Sequence, residues 1–255
     1  MTMKHNYFRI FQTSFKRSLI LGLSLSLFAC GVTGFASEHS FVRVPVKTET
    51  EVIHVNLLHG EVKKLYGVNI GTVNKINERL IGLQFGGANL SDGKTYGAQV
   101  GLLYNSAKSG GFSIQVGFAN NVEEGGAGTQ LGFYNRGVNG GYYVTGGIYN
   151  KGNSGLTIGL INNESLGVNI GGFNYGYGVN VGAINSGKGL SIGAINIGDD
   201  GNLQFGILNF CTEGPFPIMI VLNYCSKPES EKTETKPAAT KVDTKIAPEP
   251  APAKK

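Results

Sequence analysis

Between residues 66 and 224 the chain alternates apolar and small or polar residues with period two, in short bursts that each end on asparagine. Gly167-Val168-Asn169-Ile170-Gly171-Gly172-Phe173-Asn174 is followed by Gly178-Val179-Asn180-Val181-Gly182-Ala183-Ile184-Asn185. Next comes Gly189-Leu190-Ser191-Ile192-Gly193-Ala194-Ile195-Asn196. The closing residue recurs at Asn74, Asn89, Asn105, Asn120, Asn135, Asn150, Asn162, Asn174, Asn185, Asn196, Asn209 and Asn223, at spacings of 11 to 16 residues. A degenerate copy precedes them at Val55-Asn56-Leu57-Leu58-His59. Period two marks a strand, and a fixed recurrence marks a repeat architecture. Each unit therefore reads as one β-strand closed by an Asn turn, with linkers such as Ser186-Gly187-Lys188 and Gly198-Asp199-Asp200 carrying turn chemistry.

The alternation predicts two faces. One carries Leu156, Ile158 and Leu160, or Leu190, Ile192 and Ala194, and is expected to be the core. The other begins with a small polar residue such as Gln84, Gln99, Gln115, Gln130, Thr157 or Asn180 and continues with Gly. A straight seven-residue strand spans about 23 Å at ~3.3 Å per residue, too far for a four-residue linker to retrace. The expectation is therefore an all-β, two-sheet β-solenoid or roll, each repeat forming half a coil and stacking on the repeat two units away. That arrangement lays Gly on Gly and Asn on Asn, and stacked asparagines can form an amide ladder. An antiparallel meander or closed β-barrel is the alternative. A transmembrane barrel fits poorly, because its strands need about 9–11 residues. A calcium-binding roll needs an Asp in every repeat, whereas residues 66–224 contain only Asp92, Asp199 and Asp200.

Composition supports a repetitive β chain: 40 glycines, no tryptophan and 15% charged residues among 255. Glycine at this density opposes helix. The net charge of +5 belongs to the ends. Lys4, Arg9, Lys16 and Arg17 lie in a basic N-terminal stretch ahead of an apolar run, Leu19 to Ala29, which is the layout of an export signal. The segment from Ser226 is rich in Lys, Glu, Pro and Ala and reads as a disordered tail. Between these ends, 11 basic residues face 12 acidic ones, so there is no basic surface surplus for nucleic acid.

Leu27-Phe28-Ala29-Cys30-Gly31 reads as a lipobox with Cys30 as the lipidated residue. Acylation there by two fatty acids such as palmitate would hold the chain stably on a membrane. The other reading is ordinary cleavage after Gly34-Phe35-Ala36, which discards Cys30. The expected organisation is a signal at 1–29, a lipid-anchored segment at 30–50, the β-repeat domain at 51–225 and a tail at 226–255.

Val55-Asn56-Leu57-Leu58-His59-Gly60, then Leu65-Tyr66-Gly67-Val68-Asn69-Ile70-Gly71, the serial Ile-Gly-x-x-Asn units and the closing Gly214-Pro215-Phe216-Pro217-Ile218 resemble leptospiral-type surface-repeat lipoproteins. The resemblance covers residues 41–225. It implies an exported outer-membrane lipoprotein exposed at the cell surface, and it carries over no catalytic or ligand residue.

Few residues offer chemistry. His54 and His59 have opposite strand parity, and His39 stands apart, so no metal site is expected. Glu123-Glu124 and Asp199-Asp200 lie in linkers and read as solvated turns. Gly176-Tyr177-Gly178-Val179-Asn180-Val181-Gly182 mimics a phosphate loop but leads into another strand instead of a helix. Neither a catalytic residue nor a cofactor is expected. Tyr134, Tyr142, Tyr143, Tyr149, Tyr175 and Tyr177 form a candidate patch for a glycan, or for a protein of the envelope or of a host. Cys211 and Cys225 occupy like positions in successive repeats. Regular stacking of either kind would hold them apart, but Pro215 and Pro217 interrupt the last repeat, and a strand folding back there could join them as a disulfide.

Overall fold

The computed structural model describes residues 30–33, 42–44, 49–138 and 141–227. The expected signal and the tail beyond Lys227 lie outside them, as does His39. The described residues contain strands and no helix: β1 Cys30–Thr33, β2 Val42–Val44, β3 Thr50–Asn56, β4 His59–Glu124, β5 Ala127–Gly137, β6 Tyr142–Lys151, β7 Ser154–Cys211 and β8 Ile218–Cys225. β4 and β7 are 66 and 58 residues long because the chain stays extended through many turns of one β-solenoid.

The coils stack in parallel, each repeat directly on the next. Gln115 pairs with Gln130 and Asn120 with Asn135; Gln130 then pairs with Thr145, and Asn135 with Asn150. One repeat is thus a whole coil, and the expected stacking of each repeat on the one two units away is corrected. The return does not need a linker of its own, because the strand bends at corners and keeps pairing around the arc. Gly167, Gly178 and Gly189 turn such corners at φ +117°, +108° and +104°, a region closed to most side chains. The parallel register also excludes the antiparallel meander and the closed barrel.

The interior is polar. Asn56, Asn74, Asn89, Asn105, Asn120, Asn135, Asn150, Asn162, Asn174, Asn185, Asn196 and Asn209 form one ladder, each Nδ2 donating to the next Oδ1 at 2.6–2.9 Å. In nine of the rungs the second Nδ2 proton goes to a backbone carbonyl of the next coil, such as Leu131 O for Asn120 and Val181 O for Asn174, at 2.8–3.2 Å. That carbonyl always precedes the motif glycine. The glycine faces inward beneath the amide: a Cβ on Gly182 would meet Asn174 Nδ2 at 2.6 Å and collide with the Gly171 carbonyl. Asn and Gly are therefore two halves of one packing unit.

A second ladder runs the other way. Gln99 Nε2 donates to Gln84 Oε1, Gln115 to Gln99 and Gln130 to Gln115, at 2.8–2.9 Å. Their remaining protons go to Ser106 O, Asn121 O and Arg136 O across the corner. The two columns of amide dipoles oppose each other, which limits the net dipole along the stack. Ladder ends are left with one atom lacking a partner: Asn56 Oδ1, Gln84 Nε2 and Gln130 Oε1.

Coil width limits which residues fill the interior: glutamine occurs only in the wider coils, although Asn69 and Thr145 take the same position there. The register advances by 15 residues from β4 to β6 and by 12 from β6 to β7. Wide coils hold glutamine and small apolar clusters, Val62, Leu65, Ile76 and Leu80 in one, Ala107, Val122 and Tyr143 in the other. Narrow coils replace glutamine with Thr157, Asn169, Asn180 and Ser191, all fully buried. The apolar face expected to be the core points outward instead: Ile158 is 46% exposed, Leu160 54% and Ile192 41%. A coil of 11–12 residues brings its walls too close for branched side chains facing each other. Flat amides lying over glycine fit that gap, and stacking satisfies their hydrogen bonds, which removes the usual cost of burying them.

Both ends are closed differently from the middle. β1 lies parallel to β3, with Cys30 opposite Ile53, and β2 runs antiparallel outside it. At the other end β8 folds back antiparallel on β7, pairing Gln204 with Asn223 and Asn202 with Cys225. This places Cys225 beneath the last coil, where it is bonded to Cys211 as a disulfide with a Cα–Cα distance of 5.3 Å. Both sulfurs are buried at the point where the asparagine ladder stops.

Adjacent residues test the inverted polarity. Gln115→Leu, inside, should cost about 2–4 kcal/mol because Gln99, Gln130 and the Asn121 carbonyl lose partners. Val116→Gln, outside, should stay within about 0.5 kcal/mol. Denaturant melting compares them, and equal costs would contradict the assignment of faces. Gly182→Val should cost at least about 1–3 kcal/mol through overpacking against Asn174 and the Gly171 backbone; a neutral midpoint would mean that the glycine row has free space.

Candidate interaction surface

Once the polar residues turn inward, the apolar ones are committed to the surface, and stacking aligns them. Three columns result. One begins Leu83, Ala98, Ile114 and Thr129 and ends at Leu203; the next begins Phe85, Val100, Val116 and Leu131 and ends at Phe205. The third begins Gly87, Leu102, Phe118 and Phe133 and ends at Ile207. Of the thirty positions in ten successive rows none is charged, and only Thr129 is polar. Rows ~4.8 Å apart and residues ~3.3 Å apart make this face roughly 43 Å by 13 Å between its outer Cα columns. That is roughly 560 Å² before side chains widen it, as large as the biggest apolar patch of a typical monomer, about 300–600 Å².

The face has relief. Leu102, Phe118, Phe133 and Ile148 form one ridge, with the Phe118 and Phe133 rings stacked 5.0 Å apart. Phe85, Val100, Val116 and Leu131 form a second ridge, and the inward glycines between them floor a trough of about 850 Å³. Beyond Leu160 the first ridge falls away to Gly172, Ala183 and Ala194. Every Asp, Glu, Lys and Arg between residues 81 and 210 lies instead in the return arcs, as Asp92, Lys94, Lys108, Glu123 and Glu124 do. Charges pair between coils, among them Lys151 with Glu164 and, in the first coils, Lys75 with Glu61 and Asp92. Glu61 is held below the ordinary carboxylate range by the Asn77 amide and by Lys75. Exposed pairs of this kind add little stability. Their effect is to make the arcs the hydrated side of an amphipathic rod.

The other residues singled out in the sequence fall as follows. Cys30 begins β1 at the N-terminal end of the stack. His54 is buried, its Nδ1 2.7 Å from Glu51 Oε2 inside the first coil, whereas His59 sits half-buried at the start of β4. Among the described residues no three His, Cys, Asp or Glu side chains converge as metal ligands would. Glu123 and Glu124 are exposed in an arc, while Asp199 accepts from the Thr212 hydroxyl and Asp200 from the Lys227 amide, tying the last arc to the C-terminal cap. Gly176 to Gly182 is continuous strand. The tyrosines do not act as one patch. Tyr143 is buried, its hydroxyl donating to Gly125 O and its pKa raised by desolvation. Tyr134 and Tyr149 stack 5.7 Å apart, and Tyr142, Tyr175 and Tyr177 are exposed.

No protein-family model, no curated protein and no solved structure matches the chain. The likeness to leptospiral-type surface-repeat lipoproteins therefore rests on the residues quoted for it.

Proposed function

We propose that the chain is a non-enzymatic, lipid-anchored scaffold of the outer-membrane surface, and that its working surface is the apolar face of the solenoid. The observation that carries this reading is the thirty-position array without a charge, set on a rod whose charges between residues 81 and 210 all lie in the arcs. A monomer in water has no use for such a face, whereas an assembling protein does. The anchor is Cys30, which leads directly into β1 and would hold the first coil close to the bilayer. The alternative, a carrier with a ligand inside a closed barrel, has less support, since the coil interior is filled by the amide ladders. In the proposed role specificity comes from the shape of an extended surface and not from a pocket with reactive groups.

Two measurements test the two halves of this proposal. Cys30→Ala should abolish metabolic labelling by palmitate and move the protein out of the detergent phase; unchanged partitioning would rule out the anchor. Phe118→Asp combined with Phe133→Asp should keep the parent's far-ultraviolet circular dichroism spectrum, since both side chains point outward. The pair should nevertheless reduce the hydrodynamic size of the purified full chain or, in the Cys30→Ala background that lacks the acyl anchor, its binding to vesicles. If the charged variant keeps both the size and the anchor-independent vesicle binding of its parent, the face is not the working surface.

A further inference from the structure

The relief of the apolar face is self-complementary. In ten successive rows the third column reads Gly87, Leu102, Phe118, Phe133, Ile148, Leu160, Gly172, Ala183, Ala194, Ile207. Reversed against itself, it sets Gly87 opposite Ile207, Leu102 opposite Ala194, Phe118 opposite Ala183, Phe133 opposite Gly172, and Ile148 opposite Leu160. Every bulky residue away from the centre meets a small one. The middle column is bulky along its length, setting Phe85 opposite Phe205 and Leu131 opposite Ile170, except that its single glycine, Gly146, falls opposite Ile158.

We infer that the partner of this face is a second copy of the chain, packed face to face with its stack reversed. The inference rests on the reading of the face as the working surface and names its occupant. The symmetry follows from the columns. A two-fold axis parallel to the strands reverses the order of the coils but leaves each position along the strand where it was, so each column faces itself in reverse order. A two-fold axis along the stack would instead set the first column against the third at the same level. That would press Ile114 onto Phe118, Val144 onto Ile148, Leu156 onto Leu160 and Leu203 onto Ile207, bulk on bulk in four rows. Only the reversed arrangement lays the Leu102, Phe118 and Phe133 ridge of each copy over the Gly172, Ala183 and Ala194 depression of the other.

Size and chemistry agree with this choice. Covering the face on both copies removes roughly 1,100 Å² of planar area and more with its relief, close to the ~1,200–2,000 Å² of specific interfaces. Two apolar sheets packing ~10 Å apart is the ordinary geometry of a β-sandwich. No charge would be buried, because none lies in the columns, and the hydrated arcs stay at the rim. The same axis also returns both Cys30 residues to one level along the strand direction, as two anchors in one membrane require.

Cross-linking of the full chain in intact cells tests the register. Phe118→Cys and Ala183→Cys, carried on two differently tagged copies, should be joined by a short bis-maleimide into a covalent heterodimer. Phe118→Cys alone should give none, since its own copies would lie five rows, about 24 Å, apart. Both sites point outward in the single chain, and an unchanged far-ultraviolet circular dichroism spectrum confirms that the variants fold. Absence of the heterodimer, or equal cross-linking of Phe118→Cys to itself, overturns the reversed dimer. In the Cys30→Ala background, which lacks the acyl anchor, release of the unlinked protein from phosphatidylethanolamine vesicles by Phe118→Asp/Phe133→Asp would then assign the face to lipid and preserve the wider reading. Indifference of the vesicles as well would remove both.

Discussion

A primary amide carries two donors and an acceptor, and inside a protein all of them must be used. The solenoid is organised around that requirement. An asparagine shut inside a coil only 11–16 residues around has no water to turn to, but it has an identical amide one coil above and one below. The ~4.8 Å spacing of paired strands lets one Nδ2 reach both the next Oδ1 and a carbonyl of the next coil. Satisfying the side chain and pairing the backbone are then the same act, and neither can be achieved at another register. The motif glycine follows from this, because the amide lies where its Cβ would be. So does the contraction of the polar position from glutamine to threonine, serine or asparagine as the coils narrow.

Orientation of the apolar residues is a consequence and not a cause. In most domains the hydrophobic effect chooses the inside. Here the coil is too thin to hold a layer of branched side chains, and hydrogen-bonded amides fill it instead. The apolar residues stabilise the sheet by contact along their columns, as Phe118 does with Phe133, but a large part of each remains in water. The fold therefore stores an uncompensated hydrophobic term on one flat side. Face-to-face packing is where that term would be recovered, and it would complete in the assembly the sandwich that a single chain leaves half built.

Much of this was legible in the sequence because the repeat is a register in itself. Equal spacing of Asn and of Gly announces parallel stacking of like on like, and it gave the solenoid and the amide ladder. Two things were hidden. A straight strand and a separate linker cannot close a coil of eleven residues; the chain closes it by bending at Gly167, Gly178 and Gly189 while remaining strand, which no alternation pattern reports. The choice of face was hidden by a general expectation. Apolar residues at Leu156, Ile158 and Leu160 suggest a core until Gly159 is considered: it shares the face of Thr157, and a crowded glycine row belongs where two walls meet. Gly and Asn on one face were the signal that this face is interior.

A stack held by nearest neighbours is only as secure as its ends, and the two ends use different chemistry because they inherit different unsatisfied groups. At the first coil the asparagine ladder begins with an acceptor that nothing below supplies, Asn56 Oδ1. Nearby, the chain encloses a hydrogen-bonded pair, His54 with Glu51, and places the parallel strand β1 under β3. At the last coil a further parallel turn would continue the ladder indefinitely and leave an open edge for other strands to join. Pro215 and Pro217 stop it, β8 reverses direction, and Asn223 turns its amide to Asn209 O and Phe216 O instead of to a further asparagine. The Cys211–Cys225 bond then fills the interior position where the next polar pair would lie. The parallel stack thus ends without presenting its own template. The broad apolar side is the larger surface for association, and reversed face-to-face packing there closes into a pair instead of growing into a fibre.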